Sequence, residues 1–327
     1  MAIILKHFKP AVLTGYGREA ARAVDNTVLA RIFPNRVQQS TVAEWTVNDR
    51  NRNEAQYRAY GAETEFGRRP GKRVVTQRLA PLGLKLPYTE DDALLALNGV
   101  EAEQTVVDRL AAAVSESVTY TLEKNRAAAL ELGRYTARGV NFSAEIDFAR
   151  NPAHTTTAPT LFSAAGADPV SYINSLVELV QRNSGVRPNL LVTSSRVFAA
   201  LAKSSAMISY AGGSSTSMLV TRDAIQATLA AFGLPQITVY DELDANDARL
   251  TADNKIFLAS DTGVGETSWG PTVASRNPRY GIRAGDAPGL FVGLYEEEDA
   301  DTKYVRSDAS ALAVLQRPDA TAAAVVL

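Results

Sequence analysis

The sequence has no cysteine, and only two histidines, two tryptophans and three methionines in 327 residues. Without cysteine there is no disulfide framework, no thiolate nucleophile and no thiolate metal site. His7 and His154 stand far apart in the chain, so a metal centre would need carboxylates for most of its ligands. Neither histidine has a recognisable catalytic partner, which leaves no evident general base. Long apolar runs are missing too. Ala2-Ile3-Ile4-Leu5 meets Lys6, His7 and Lys9 too soon for a signal-peptide core, and no window approaches the roughly 18 apolar residues that span a bilayer. The expectation is a protein with no membrane partner that stays where it is made, and the lack of cysteine fits a reducing cytoplasm. A large net charge is also absent. The balance of 34 Lys/Arg against 36 Asp/Glu, a formal −2, argues against a generic nucleic-acid coat.

What is present suits a folded soluble chain. The 46% hydrophobic content and the length give one large or two ordinary domains with a sizeable core. Charge is unevenly spread: residues 1–90 hold 15 Lys/Arg against 8 Asp/Glu, and residues 91–327 hold 19 against 28. A +7 quarter and a −9 remainder suggest two surfaces that attract each other, within one molecule or between copies.

Periodicity divides the chain further. In residues 1–35, Gly15 and Gly17 bracket a break, followed by a short amphipathic stretch through Ala20, Val24, Val28 and Leu29 that ends near Pro34. Residues 36–90 carry β-formers from Val37 to Val47 and again from Arg73 to Leu86, with the basic turn Gly67-Arg68-Arg69-Pro70-Gly71-Lys72-Arg73 between them. This reads as a long two-stranded excursion, marginal alone and sensible against a neighbouring molecule. Thr89 and Asp92 mark a helix start, and the short helix stops at Asn98-Gly99. Val106, Leu110, Val114, Val118, Leu122, Ala129 and Leu132 then stripe a helix of about 50 Å. Val140, Phe142, Ala144, Ile146 and Phe148 alternate as a half-exposed strand. Residues 161–270 mix helices and short strands, including a helix opened by Asp168-Pro169, the strand Pro188 to Thr193, a helix capped by Ser194-Ser195, and the loop Gly212 to Ser217. Residues 271–327 look mostly β, interrupted by the acidic run Glu296 to Asp301.

Few constellations suggest chemistry. Gly263-Val264-Gly265-Glu266 has part of a dinucleotide loop but no third glycine and no helix after it. Asp241, Glu242, Asp244 and Asp247 lack the alternate spacing and central glycine of a calcium loop and read as a solvated turn. Ser/Thr residues 193–195 have no nearby histidine and read as a helix cap.

The order of segments resembles the tailed-bacteriophage major capsid protein of the Hong Kong 97 type, within it the lambda-like group. The resemblance rests on Leu79-Ala80-Pro81-Leu82-Gly83-Leu84-Lys85-Leu86 leading to Thr89-Glu90-Asp91-Asp92, the long helix from Glu101, and Pro188 to Ser195 followed by Phe198. It continues through Gly233-Leu234-Pro235 into Ile237-Thr238-Val239-Tyr240, then Phe257-Leu258-Ala259 with Trp269-Gly270. It implies an α+β capsid fold with an N-terminal arm (1–35), an extended E-loop (36–88), a peripheral domain with the long spine helix (89–160), an axial domain (161–270) and returning strands (271–327). It implies self-assembly into hexamers and pentamers of an icosahedral head enclosing double-stranded DNA, with no enzyme activity and no cofactor. Partners would be copies of itself, a portal protein, a separate scaffolding protein, a decoration protein, and packaged DNA held non-specifically. The place would be the virion capsid, assembled in the host cytoplasm. Intersubunit contacts are expected at Trp45, Arg68, Arg69, Lys72 and Arg73 of the excursion and at Glu296, Glu297 and Glu298 of the acidic turn. The alternatives are an encapsulin-like nanocompartment shell and, from a different class, an α/β small-molecule-binding enzyme, which would need a convergent polar site.

Overall fold

The structure is a computed structural model that describes residues 2–3, 8–48, 51–97, 102–139, 141–211, 220–297 and 302–327. His7, Asn98-Gly99, Val140, the loop from Gly212 to Ser217 and Glu298 lie outside the described residues.

The N-terminal part is more helical than its glycines suggest. After strand β1 (Ala2–Ile3), helix α1 spans Pro10–Val24 and runs straight through Gly15 and Gly17. The expected break is therefore absent. Gly17 serves packing instead: a Cβ there would stand 2.5 Å from Ser115 Oγ and 2.7 Å from Val292 Cγ2, so the missing side chain lets the helix lie close to its neighbours. Helix α2 (Val28–Ile32) follows, its N-terminus capped by Thr27, whose hydroxyl accepts from the Ala30 amide at 3.0 Å.

The excursion divides into parts. Strands β2 (Asn35–Val37), β3 (Val42–Asn48) and β4 (Lys72–Arg78) come first, and β3 and β4 form an antiparallel ribbon from Val42↔Arg78 to Asn48↔Lys72. Residues 51–71 form neither helix nor strand and are exposed throughout. The extended run from Arg73 to Leu86 is not one strand. Past Arg78 the chain leaves the ribbon, and β5 (Ala80–Leu82) and β6 (Lys85–Tyr88) pair with β15 (Thr302–Leu315) instead. Gly83 sits at the joint, where a Cβ would meet the Ser307 carbonyl oxygen at 2.5 Å.

Helix α3 (Glu90–Leu97) opens with a reciprocal cap. The Thr89 hydroxyl accepts from the Asp92 amide at 3.2 Å, and the Asp92 carboxylate accepts from the Thr89 amide at 2.9 Å. Helix α4 (Glu103–Leu132) is the long rod, ended by Gly133 at φ 69. Its apolar stripe buries Val106, Val114, Val118, Leu122 and Leu130. The hairpin β7 (Arg134–Gly139) and β8 (Phe142–Asp147) and the short strand β9 (Thr155–Thr157) come next. Helix α5 (Pro169–Ser184), capped by Asp168, leads to β10 (Leu190–Thr193), α6 (Ser195–Lys203), α7 (Ser205–Tyr210) and α8 (Arg222–Ala231). Strands β11 (Gln236–Val239), β12 (Lys255–Ala259), β13 (Gly265–Gly270), β14 (Phe291–Glu297) and β16 (Ala322–Val325) complete the fold.

Two sheets organise these elements. A seven-stranded sheet runs β1-β14-β15-β13-β2, with β5 and β6 also on β15. One face packs on α1 and α4 through Leu13, Val114, Val292, Leu294 and Val305. A five-stranded sheet runs β11-β10-β12-β16-β9 and packs against α5 to α8 through residues such as Ile173, Leu191, Leu201 and Leu258. The sheet partition crosses the boundary expected at residue 270. Strand β13 belongs to the seven-stranded sheet, while β16, near the end of the chain, lies inside the other one between β12 and β9.

Candidate assembly surfaces

The sequence-predicted contact residues fall into three environments. Trp45 is only 6% exposed and packs on Phe148, ring centroids 6.1 Å apart, inside its own subunit. Period-2 alternation puts it on the inner face of the ribbon base, with Ala43. It is a core residue of its own subunit with little surface left over. Arg68, Arg69, Lys72 and Arg73, by contrast, are all exposed at the far end of the ribbon. Asn53 extends the pairing beyond β3 and β4: its side chain accepts from the Arg68 amide at 3.0 Å and donates to the Arg68 carbonyl at 2.5 Å. The tip proper therefore lies between these two residues. It carries Tyr57, Tyr60 and Phe66, each essentially fully solvent-accessible at 107%, 109% and 98%.

Glu296 and Glu297 belong to β14, opposite Lys303 and Thr302. Lys303 donates to Glu103 of α4 at 2.8 Å, and this hydrogen bond is the main cause of its raised pKa, with Glu296 adding a smaller effect. Part of the expected acidic patch thus already faces a cation of its own subunit.

The anchor of the N-terminal region and the spine helix escaped the sequence reading. Arg126 is 1% exposed and forms ion pairs with Asp25 and, at 3.1 Å, with Glu123. It also donates to Thr267 Oγ1 at 2.9 Å and to Asn35 Oδ1 at 3.1 Å. The Tyr240 hydroxyl donates to Glu123 at 2.8 Å, and burial together with that carboxylate raises its pKa. One guanidinium thus joins the α1–α2 connection, the long helix and β13, with the end of β11 linked through Glu123. A signal existed: Glu123 and Arg126 fall on the helix face that also carries Leu122 and Leu130. Two further arginines pin helices. Arg18 Nε donates to the Leu290 carbonyl at 2.7 Å. Arg150 donates to the Leu130 and Glu131 carbonyls at the end of α4, both at 2.6 Å, and burial lowers its pKa to about 10.

The groups weighed for chemistry have structural partners. His154 is fully buried, with Nδ1 2.8 Å from the Thr321 carbonyl and Nε2 2.7 Å from the Asn183 amide nitrogen. The ring donates to the first and accepts from the second, joining α5 to the C-terminal strand. Asp241 pairs with Arg249 and accepts from the Ser195 amide at 3.0 Å, while Asp244 accepts from the amides of Asn246 and Ala248 within its own turn. Gly265 is packed so closely on Phe33 that a Cβ would collide with the ring, which explains the glycine without a phosphate. Ser194 Oγ accepts from the Val197 amide as the cap of α6. Among the described residues no helix is long and apolar enough to cross a membrane.

The outer face of the seven-stranded sheet carries a groove of about 1110 Å³. It runs between β5–β6, the β7–β8 hairpin and the segment 271–280, over Tyr295, Tyr304, Arg306 and Asp308.

The whole chain superposes on phage proteins. A phage-related protein from Bordetella bronchiseptica RB50 matches with a TM-score of 0.62 at 13% identity, covering 99% of this chain and 97% of that one. A prophage protein from E. coli CFT073 matches at 0.64 with 12% identity, over 98% and 99% of the two chains. The capsid of Myoviridae phage XM1 matches at 0.53 with 10% identity, over 100% and 95%. The fold is therefore that of a phage capsid subunit. No curated protein matches the chain in sequence. The chain belongs to the family described as phage major capsid protein E, which it matches over residues 10–326. It is a major capsid protein of the tailed-phage kind.

Proposed function

We propose that the protein builds the icosahedral head of a tailed phage as hexamers and pentamers that enclose double-stranded DNA, using a fold of the Hong Kong 97 type and the lambda-like group. Residues 1–35 act as the arm, 36–88 as the E-loop, 89–160 as the peripheral domain, 161–270 as most of the axial domain, and 271–327 as returning strands. The work is mechanical: the protein carries out no reaction, uses no cofactor, and assembles in the host cytoplasm into the virion shell. A portal protein, a separate scaffolding protein, a decoration protein and non-specifically held DNA complete the set of partners.

The observation that supports this reading best is the exposed ribbon tip. Three aromatic side chains in open solvent serve no purpose within one subunit, and such side chains are favoured anchors in protein interfaces. Many modest contacts repeated around closed symmetry give a shell far more stable than any pair. The test is electron microscopy of the overexpressed protein beside a variant in which residues 49–71 are replaced by an Asn-Gly turn, which suits a two-residue hairpin. The expected result is closed shells from the unmodified protein and folded, soluble subunits without shells from the variant. A monodisperse 35 kDa monomer from the unmodified protein would overturn the reading.

A further inference from the structure

We propose that the cleft between the ribbon stem and the turn at residues 316–320 is a binding site for a small, multiply charged phosphate anion, held by Arg52, Arg68, Arg69 and Arg317. The inference concerns the single subunit, so its failure would leave the shell-building reading untouched.

The cleft has a volume of about 840 Å³ and two unlike walls. One wall is the ribbon: the end of β3 at Thr46 and Val47, with Arg52, Arg68 and Arg69 beyond it. Asn53 fixes this wall. Its bonds to the amide and carbonyl of Arg68 hold residues 52–53 alongside 68–69, so three arginines stand together on one side. The other wall is the body of the subunit. Arg317 lies in the turn between β15 and β16, where its amide donates to the Val264 carbonyl and its carbonyl accepts from the Ala320 amide, both at 3.0 Å. Both walls are therefore held by main-chain hydrogen bonds, and the arginine side chains project from fixed points.

Charge in the cleft is unbalanced. Four arginines share it with one acidic residue, Asp319. That carboxylate is already engaged: it accepts from the Asn151 amide at 3.0 Å, and its charge favours the protonated form of the buried Arg150. Arg52, Arg68, Arg69 and Arg317 are exposed, and among the described residues their guanidinium groups have no partner. Like charges gathered in one cleft repel, and a compact anion between them turns that repulsion into attraction.

The residue type and the size select the ligand. A guanidinium presents a planar fork that matches phosphate oxygens in pairs. The volume falls within the roughly 300–1,000 Å³ of small-molecule clefts. Cations on two walls call for several phosphates in a compact group, as in tripolyphosphate or a nucleoside triphosphate, that reaches both at once. A nucleic acid spreads single charges along a track, and these arginines converge on one cleft instead. Binding would tie the stem to the body. A two-stranded ribbon is marginal alone, so the anion would fix the ribbon's position at the far end of β3 and β4.

The test is calorimetric titration of the full-length subunit with tripolyphosphate in a phosphate-free buffer of low salt. One anion per subunit is expected to bind. Arg317→Gln and, separately, Arg52→Gln are each expected to weaken binding about tenfold, the loss of one charge-assisted contact. Both residues are exposed, and unchanged melting temperatures would show that the variants fold. Arg73→Gln removes the same charge from the ribbon just outside the cleft and is expected to leave the affinity within about twofold. Tryptic cleavage after Arg52 and Arg68 is expected to slow severalfold in tripolyphosphate, because the protease needs those side chains free. Absence of binding at millimolar anion would overturn the site. An Arg73→Gln loss equal to that of Arg317→Gln would overturn it too, as a diffuse field rather than a cleft. Unchanged tryptic cleavage would remove the ribbon wall. A single-stranded oligonucleotide that bound more tightly than tripolyphosphate would overturn the choice of a small anion.

Discussion

The two ends of one ribbon obey opposite rules. At its base, β3 turns Ala43 and Trp45 inward against Phe148, and Leu79 beyond β4 is buried in the same cluster. Some residues further on, the same chain holds Tyr57, Tyr60 and Phe66 entirely in water. Composition does not separate the two ends, since both combine aromatics with arginine and glutamate. What separates them is whether the rest of the subunit can reach. The base is fixed to a subunit whose inner layer is tied together by Arg126, and the tip projects past everything that could cover it. A side chain of the base should therefore report on folding, and one of the tip on assembly.

The most damaging test of this contrast is at the anchor. Arg126→Met leaves Asp25 and Glu123 buried without their cation, and removing one partner from a buried ion pair costs about 3–5 kcal/mol. The expected outcome is a large loss of melting temperature in the isolated subunit, measured by circular dichroism, with few shells because few subunits fold. A variant that melts like the parent would mean the network does not hold the arm to the spine.

A matched pair sharpens the comparison. Trp45→Ala opens a cavity in the core and is expected to cost roughly 3 kcal/mol of subunit stability. Tyr60→Ser removes an aromatic of similar character from open solvent and is expected to shift stability by less than about 0.5 kcal/mol. Its effect should appear only in the yield of shells by sedimentation. If both variants lowered the melting temperature alike, the tip would be packed within its own subunit.

Why the sequence showed some of this and hid the rest follows from range. The long helix was legible because its apolar stripe is a local repeat, and the caps at Thr89, Asp168 and Ser194 were legible because a cap acts on an amide three residues on. The continuous helix through Gly15 and Gly17 was not, because its stability comes from Ser115 and Val292, far away in the chain. The inward turn of Trp45 was missed for the same reason, as its partner Phe148 belongs to the end of another hairpin. Arg126 is the sharpest case. A charged residue on a helix reads as solvated until Asp25, Asn35 and Thr267 are folded around it. The basic turn from Gly67 to Arg73 is legible in the sequence, while Tyr57, Tyr60 and Phe66 beyond it follow no period that marks them as exposed.

A smaller effect lies where the excursion enters the helical part of the chain. Thr89→Ala removes one half of the reciprocal cap of α3 and is expected to cost about 1 kcal/mol. It also has a pH signature. The hydrogen bonds from the Thr89 hydroxyl and amide hold the Asp92 carboxyl below its ordinary value. A carboxyl depressed in the folded state contributes stability above its unfolded pKa, and that contribution is lost as the pH falls through the lower folded value. The gap between parent and variant, followed by melts from pH 7 downward, should therefore hold near neutrality and narrow below about pH 4. A gap that widened in acid would show that the Thr89 hydroxyl is not what lowers Asp92.

The smallest change in subunit stability and the clearest response to salt are expected at the basic end of the tip. Arg68→Glu with Arg69→Glu alters two exposed side chains and should leave the melting temperature within the range of ordinary surface substitutions, about 0.5 kcal/mol. Under the proposal that the +7 N-terminal quarter of one copy meets the −9 remainder of another, assembly should nonetheless weaken as those cations are lost. Charges at the rim of an interface are screened over about 10 Å at 0.1 M salt and 3 Å at 1 M. The deficit in shell yield, measured by light scattering against salt concentration, should accordingly be largest at low salt and shrink towards 1 M. An equal deficit at both ends of the titration would mean that the two arginines act through packing, and the tip would then resemble its own base more closely than their exposures suggest.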